Sequence, residues 1–93
     1  MPTFLSSLKD EFNFSIFPNP ATSDVTVSFL LKQDTEVEIK LYNALGQVET
    51  TTTKTFSPGN NEFHISTSDL TEGIYYIKFF VEGSVAVRKM VKM

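Results

Sequence analysis

The stretch Thr35-Glu-Val-Glu-Ile-Lys-Leu-Tyr-Asn-Ala-Leu-Gly-Gln-Val48 decides the fold. In its first half Val37, Ile39 and Leu41 alternate with Glu36, Glu38 and Lys40. Successive strand side chains point to opposite faces, so this alternation predicts a strand with one row in a core and the other in water. In its second half, Tyr42 to Gln47 reads as a hairpin loop built on a type I turn, with Gly46 supplying the positive φ that lets the chain rejoin the ladder. A half-buried strand followed by a tight reversal is the unit from which antiparallel sheets are made.

The same period recurs on both sides. Val25, Val27, Phe29 and Leu31 oppose Thr26, Ser28 and Lys32, and Phe63 and Ile65 oppose Glu62, His64 and Ser66. Tyr75, Ile77, Phe79 and Val81 form a long inner row, while Ile74, Tyr76 and Phe80 make the opposite face apolar, which predicts a strand that is central or covered on both sides. Val48-Glu49 and the tract Thr50 to Thr55 have little apolar content, which suits a sheet edge of weakly specified register. Ser57-Pro58-Gly59-Asn60 and Glu82-Gly83 read as turns. Near the start, Phe12, Phe14 and Ile16 alternate with Asn13 and Ser15. The run Phe17-Pro18-Asn19-Pro20 then removes two backbone donors and predicts a stiff extended corner.

These segments predict an all-β domain over residues 12–93, an immunoglobulin-like antiparallel β-sandwich of about seven strands, with residues 1–11 as the end of a preceding linker. Composition agrees, since Val, Ile, Phe, Tyr and Thr supply 36 of 93 residues and Ala only three. Leu70-Thr-Glu-Gly-Ile-Tyr75 resembles the tyrosine corner of such sandwiches, in which a hydroxyl ties back to nearby backbone; the alternative is that Tyr75 is plain core.

Several function classes are disfavoured. The chain has no cysteine, which removes disulfides, thiolate metal sites and cysteine nucleophiles. No apolar run approaches the roughly 18 residues that span a bilayer, so direct membrane insertion is not expected, and Met1 to Glu11 lacks a basic segment followed by an apolar one. Residues 1–82 hold five lysines against all eleven acids, a charge of −6, whereas residues 83–93 hold Arg88, Lys89 and Lys92 and no acid, +3. An acidic body with a short basic tail argues against nucleic acid as a partner. His64, on the wet face of its strand, reads as a surface residue rather than a base or ligand. There is no glycine-rich phosphate loop, nucleophile elbow or metalloprotease helix motif, and Asp24, Asp34 and Glu36 lack the dense spacing of a calcium loop. The expectation is a domain that is not an enzyme and needs no cofactor or metal. A binding role remains open for Tyr42, Tyr76 and Phe80, whose rings would stack on sugars in a carbohydrate-binding or adhesive β-sandwich, although packing explains them as well.

In order along the chain, Phe14-Ser-Ile-Phe-Pro-Asn-Pro20, Leu41-Tyr-Asn-Ala-Leu-Gly-Gln-Val48, Leu70 to Tyr75, Gly83 and the terminal Val-Arg-Lys-Met-Val-Lys-Met93 resemble the C-terminal sorting domain of the type IX secretion system of Bacteroidetes bacteria. The resemblance spans about residues 12–93. It implies a secretion signal carried at the C-terminal end of a larger cargo protein. Such a domain passes through the periplasm, is recognised by the outer-membrane translocon, and is usually cut off upstream by a sortase-like peptidase, leaving cargo at the cell surface or released. On this reading Pro18, Asn19 and Pro20 shape the first corner, Gly46, Gly73 and Gly83 permit turns, and Leu70 and Tyr75 belong to the structural motif. The polar stretch Ser6 to Glu11 becomes the place where a peptidase would reach extended backbone.

Recognition then falls on the last strand. Val85, Val87 and Val91 share one parity with Lys89, and Ala86, Arg88, Met90 and Lys92 share the other, so neither row reads as cleanly buried. Such a strand would offer a partly free edge to a receptor strand, with Arg88, Lys89, Val91 and Lys92 as the recognition residues. The alternative is an edge strand that its lysines protect from aggregation. A passive spacer between domains is a third reading of the whole chain.

Overall fold

Alternation becomes two facing sheets in the computed structural model, which describes residues 12–93; the expected linker of residues 1–11, with its peptidase-accessible stretch, lies outside the described residues. The strands are β1 (Ser15–Phe17), β2 (Asp24–Leu31), β3 (Thr35–Asn43), β4 (Val48–Phe56), β5 (Gly59–Ser66), β6 (Gly73–Val81) and β7 (Ser84–Lys92). One sheet has the order β1-β2-β5 and the other β4-β3-β6-β7, with every pairing antiparallel. The chain changes sheet after β2, after β4 and after β5, so of the predicted turns the one at residues 57–60 bridges the sandwich, while those at residues 42–47 and 82–83 close hairpins. This is the seven-strand, immunoglobulin-like arrangement expected from the spacing of the strands.

The predicted inner rows supply the core. Val25, Val27, Phe29 and Leu31 of β2 face Val37, Ile39 and Leu41 of β3 and Tyr75, Ile77, Phe79 and Val81 of β6, all buried. Phe79 is the hub: its ring stacks on Phe14 at 4.6 Å and meets Phe29 at 4.9 Å, and Phe29 meets Phe56 edge-on at 4.9 Å. Aromatic pairs at these separations add to the stabilisation from area burial alone. Phe56 closes β4, a strand otherwise poor in apolar side chains, and so anchors one end of that sheet edge in the core.

Two turns follow the local chemistry expected of them. After β3, Gly46 adopts φ 87° and donates to Asn43 O at 3.0 Å. Asn43 Oδ1 accepts from the Leu45 and Gln47 amides, and the register slips so that Glu49 is the extra residue. Between β6 and β7, Glu82 and Gly83 both have positive φ, 49° and 79°, the backbone of the two-residue type I′ hairpin.

Two expectations are refined. β1 is shorter than the Phe12–Ile16 alternation suggests, because Asn13 sits at φ 49° and interrupts the ladder, although Phe12 O still accepts from Leu30 N. β6 is central in its sheet, yet its second face is not covered among the described residues: Ile74 and Tyr76 remain about two-fifths exposed, at 41% and 38%.

Candidate functional site

The last strand turns two of its three cations, Arg88 and Lys92, inward and its valines outward. Ala86 and Met90 enter the core, and Lys92 is 9% exposed, while Val85 and Val87 stay 44% and 43% exposed on the outer face beside Lys89. β7 ends its sheet, so its inward positions lie at the margin of the sandwich, where a long side chain lays its stem on apolar wall and brings its charge to the rim. Arg88 shows this directly. Its guanidinium lies 4.9 Å over the Phe14 ring and donates from Nη2 to Phe14 O at 2.8 Å, tying β7 to the start of the opposite sheet. No buried side-chain nitrogen or oxygen among the described residues lacks a partner, so the Lys92 ammonium is not stranded in the core.

The outer edge of β7 is held by the corner that precedes β2. Asn19 Nδ2 donates to Lys89 O at 3.0 Å, and Asn19 Oδ1 accepts from Val91 N at 3.0 Å. One residue past Pro20, Ala21 N donates to Val91 O at 2.7 Å and Ala21 O accepts from Met93 N at 2.9 Å, forming a short parallel bridge. Pro18 and Pro20 lack amide hydrogens and compete for none of these acceptors, while their rings restrict the backbone that carries Asn19. The Pro-Asn-Pro segment is therefore a clamp. From Lys89 to Met93 the edge of β7 is already engaged, and in its first half Val87 O accepts from Arg88 Nη1 at 2.9 Å, which leaves a partner strand little beyond Val85 and the Val87 amide.

The remaining motif residues sit in supporting positions. Tyr75 is 4% exposed, and its hydroxyl donates to Thr71 O at 2.8 Å with Thr71 Oγ1 at 3.2 Å, so it is both core and corner. Leu70 packs against the core beside it, and Gly73 begins β6 at φ 151°. Of the four recognition residues inferred from the sequence, Lys89 and Val91 point outward, whereas Arg88 and Lys92 are built into the margin of the sandwich.

Tyr42 and Tyr76 come together, and Phe80 shares their face but stands beyond the Lys40–Lys78 row. Tyr42 pairs with Tyr76 across β3 and β6, and Phe80 lies on the same outer face next to Glu38. Two of the three rings carry lysines: Lys78 Nζ lies 4.6 Å over Tyr42, and Lys40 Nζ 5.9 Å over Phe80. A sugar stacking there would have to displace those ammonium groups. His64 lies on the outer face of the other sheet, its Nδ1 2.8 Å from Thr26 Oγ1 in the opposite strand. Among the described residues no group of three or more His, Asp or Glu is gathered to hold a metal ion. The chemistry on offer is adhesion: apolar contact, cations and a limited length of strand edge. Sequence reasoning missed two parts of it, the Asn19 clamp and the Lys40–Lys78 pairing, since both depend on residues brought together from distant positions.

A family model described as the secretion system C-terminal sorting domain matches residues 15–93. No curated protein sequence matches the chain. Among solved structures, the chain is similar to the crystal structure of dimeric latent PorU from Porphyromonas gingivalis, with a TM-score of 0.73 at 16% identity over 86% of this chain. It spans 9% of the length of that protein, and at such identity the likeness concerns the fold.

Proposed function

The chain belongs to the family of secretion system C-terminal sorting domains, and on that premise we propose that the type IX translocon reads its folded body and the outward side of β7. A sorting domain interacts with secretion machinery and directs the protein that carries it to the cell surface or beyond. In the finer reading, cargo lies on the N-terminal side, the domain folds in the periplasm, and a sortase-like peptidase cuts upstream of residue 12 once passage is complete. The domain is an address with no reaction of its own.

The observation that supports this reading is the clamp. A domain recognised while folded must present its signal in a fixed geometry, and a terminal strand left to fray would lose it. Asn19 and Ala21 hold β7 to its last residues, which keeps Lys89 and Val91 in one orientation on the surface.

The test is delivery of a reporter with its own export signal, fused before residue 1 in a bacterium equipped with a type IX system. Deleting residues 84–93 should leave the reporter in the periplasm. Because that deletion also removes Met90 and Ala86 from the core, it is paired with Lys89→Gln plus Val91→Thr, which leaves the inner row intact. The paired variant should slow surface delivery while the domain melts as the unmodified one does. Normal delivery of both variants would remove the proposed role of the strand.

A further inference from the structure

The outer face of the four-stranded sheet carries two opposed lysines that lean apart, Lys40 over Phe80 and Lys78 over Tyr42. Lys40 of β3 stands directly opposite Lys78 of β6, and the row continues with Thr51 of β4 on one side and Val87 of β7 on the other. Like charges directly opposite on neighbouring strands destabilise a sheet, and no carboxylate stands in that row to relieve them. Glu38, two residues back along β3, is the nearest acid on the strand, and its Oε2 accepts from Thr53 Oγ1 at 3.5 Å. Lys89 adds a third cation in the neighbouring row, opposite Tyr76.

Around this cationic row the face is apolar. Val85, Val87, Ile74 and Tyr76 are each between 38% and 44% exposed, on adjoining strands. Single exposed apolar residues are ordinary, but neighbouring ones on a sheet face mark a surface that another molecule covers. The acids Glu36, Glu38 and Glu82 gather around Phe80 and Val85 at one end of the face, and Lys40, Lys78 and Lys89 stand in the rows beyond, so charge is segregated along the strands.

We propose that the lysine-bearing part of this face docks a protein surface whose carboxylates seat against Lys40 and Lys78 and whose apolar side chains cover Val87, Ile74 and Tyr76. Lys40, Lys78 and Lys89, with no acid paired in their two rows, select an acidic partner, whose carboxylates would add to the ring contacts that hold Lys40 and Lys78, and the exposed Val87, Ile74 and Tyr76 select a protein surface over a purely anionic polymer. The inference rests on the sorting reading and refines it. Recognition is by the broad outer face of β3, β6 and β7, and not by backbone pairing along the clamped edge.

The experiment uses the same reporter fusion with three variants: Lys40→Gln plus Lys78→Gln, Val87→Thr, and Glu62→Gln on the opposite sheet as control. The lysine variant should reduce the rate of surface delivery about tenfold, the scale of one lost well-placed contact. Its melting temperature should stay within about 5 °C of the unmodified domain, because losing two exposed cation–π contacts and losing two opposed like charges act in opposite directions. The valine variant should also slow delivery, and the control should not. Normal delivery of the lysine and valine variants, with Lys89→Gln plus Val91→Thr still slow, would overturn the face and leave the sorting reading standing; failure of the unmodified fusion would overturn both. Two measurements on the 93-residue chain guard the choice of partner. Binding of dextran sulfate at physiological salt that disappears in the lysine variant but not the valine variant would point to an anionic polymer instead, and a dimer in sedimentation equilibrium abolished by the valine variant would point to a second copy.

Discussion

Replacing Asn19 with Ala tests whether the clamp holds the last strand. The substitution removes one donor–acceptor pair at each end of the amide: Nδ2 to Lys89 O and Val91 N to Oδ1, both 3.0 Å. A net contribution of roughly 0.5–1.5 kcal/mol per hydrogen bond, taken at the low end because both sit at the surface, gives a loss of about 1–2 kcal/mol. For a domain of this size that corresponds to a fall in melting temperature of about 4–12 °C. Asn19→Asp separates the two bonds. It keeps an acceptor for Val91 N but sets a carboxylate oxygen against Lys89 O where the amide donated, two acceptors facing each other, so its loss at neutral pH should equal or exceed that of Ala. Amide hydrogen exchange reads the local effect: in Asn19→Ala the Val91 amide should exchange much faster, while the Val27 amide in the interior strand follows global unfolding alone. Met93 N, held by Ala21 O, should loosen less than Val91. Unchanged exchange at Val91 with a melting temperature within a degree of the unmodified domain would refute the clamp.

Two further perturbations probe the frame behind it. Tyr75→Phe keeps the buried ring and deletes only the hydroxyl that donates to Thr71 O, so chemical denaturation should show a loss of about 1–2 kcal/mol; a neutral result would make Tyr75 core and nothing more. Glu82→Asn should stabilise the β6–β7 hairpin by roughly 0.5–1 kcal/mol, because the residue at φ 49° sits where Asn is tolerated far better than Glu and the following Gly83 completes the preferred pair, and a lower melting temperature would argue against the type I′ geometry.

The inner rows of β2 and β3 were legible because those strands lie within sheets with one face on the core, where alternation reports burial; β6 reads as apolar on both faces, and only the fold showed that Ile74 and Tyr76 face outward. The threonine tract was legible as an edge for the converse reason, having too few apolar side chains for either face. β7 was not. At a sandwich margin the inward positions accept Arg88 and Lys92 as readily as Met90, so hydropathy stops tracking orientation and the valines that look like core face outward. The Pro-Asn-Pro corner read as stiff from its two prolines. That Asn19 was a clasp for a strand some 70 residues away had no local trace. Tyr75 showed the intermediate case, since the spacing of its motif suggested a corner and only the position of Thr71 O distinguished that from ordinary packing.

Residue pattern alone settled the class of fold, the turns and the buried side of most strands, because each of these follows from interactions within a few residues of the chain. Tertiary structure decided which connections cross the sandwich, which edge is already bound and which cations share a face. Those are matters of register and closure: Lys40 meets Lys78, and Asn19 meets Val91, only after separate segments have paired. The surface offered for recognition depends on that pairing, because a strand's neighbours across the sheet determine what lies beside it.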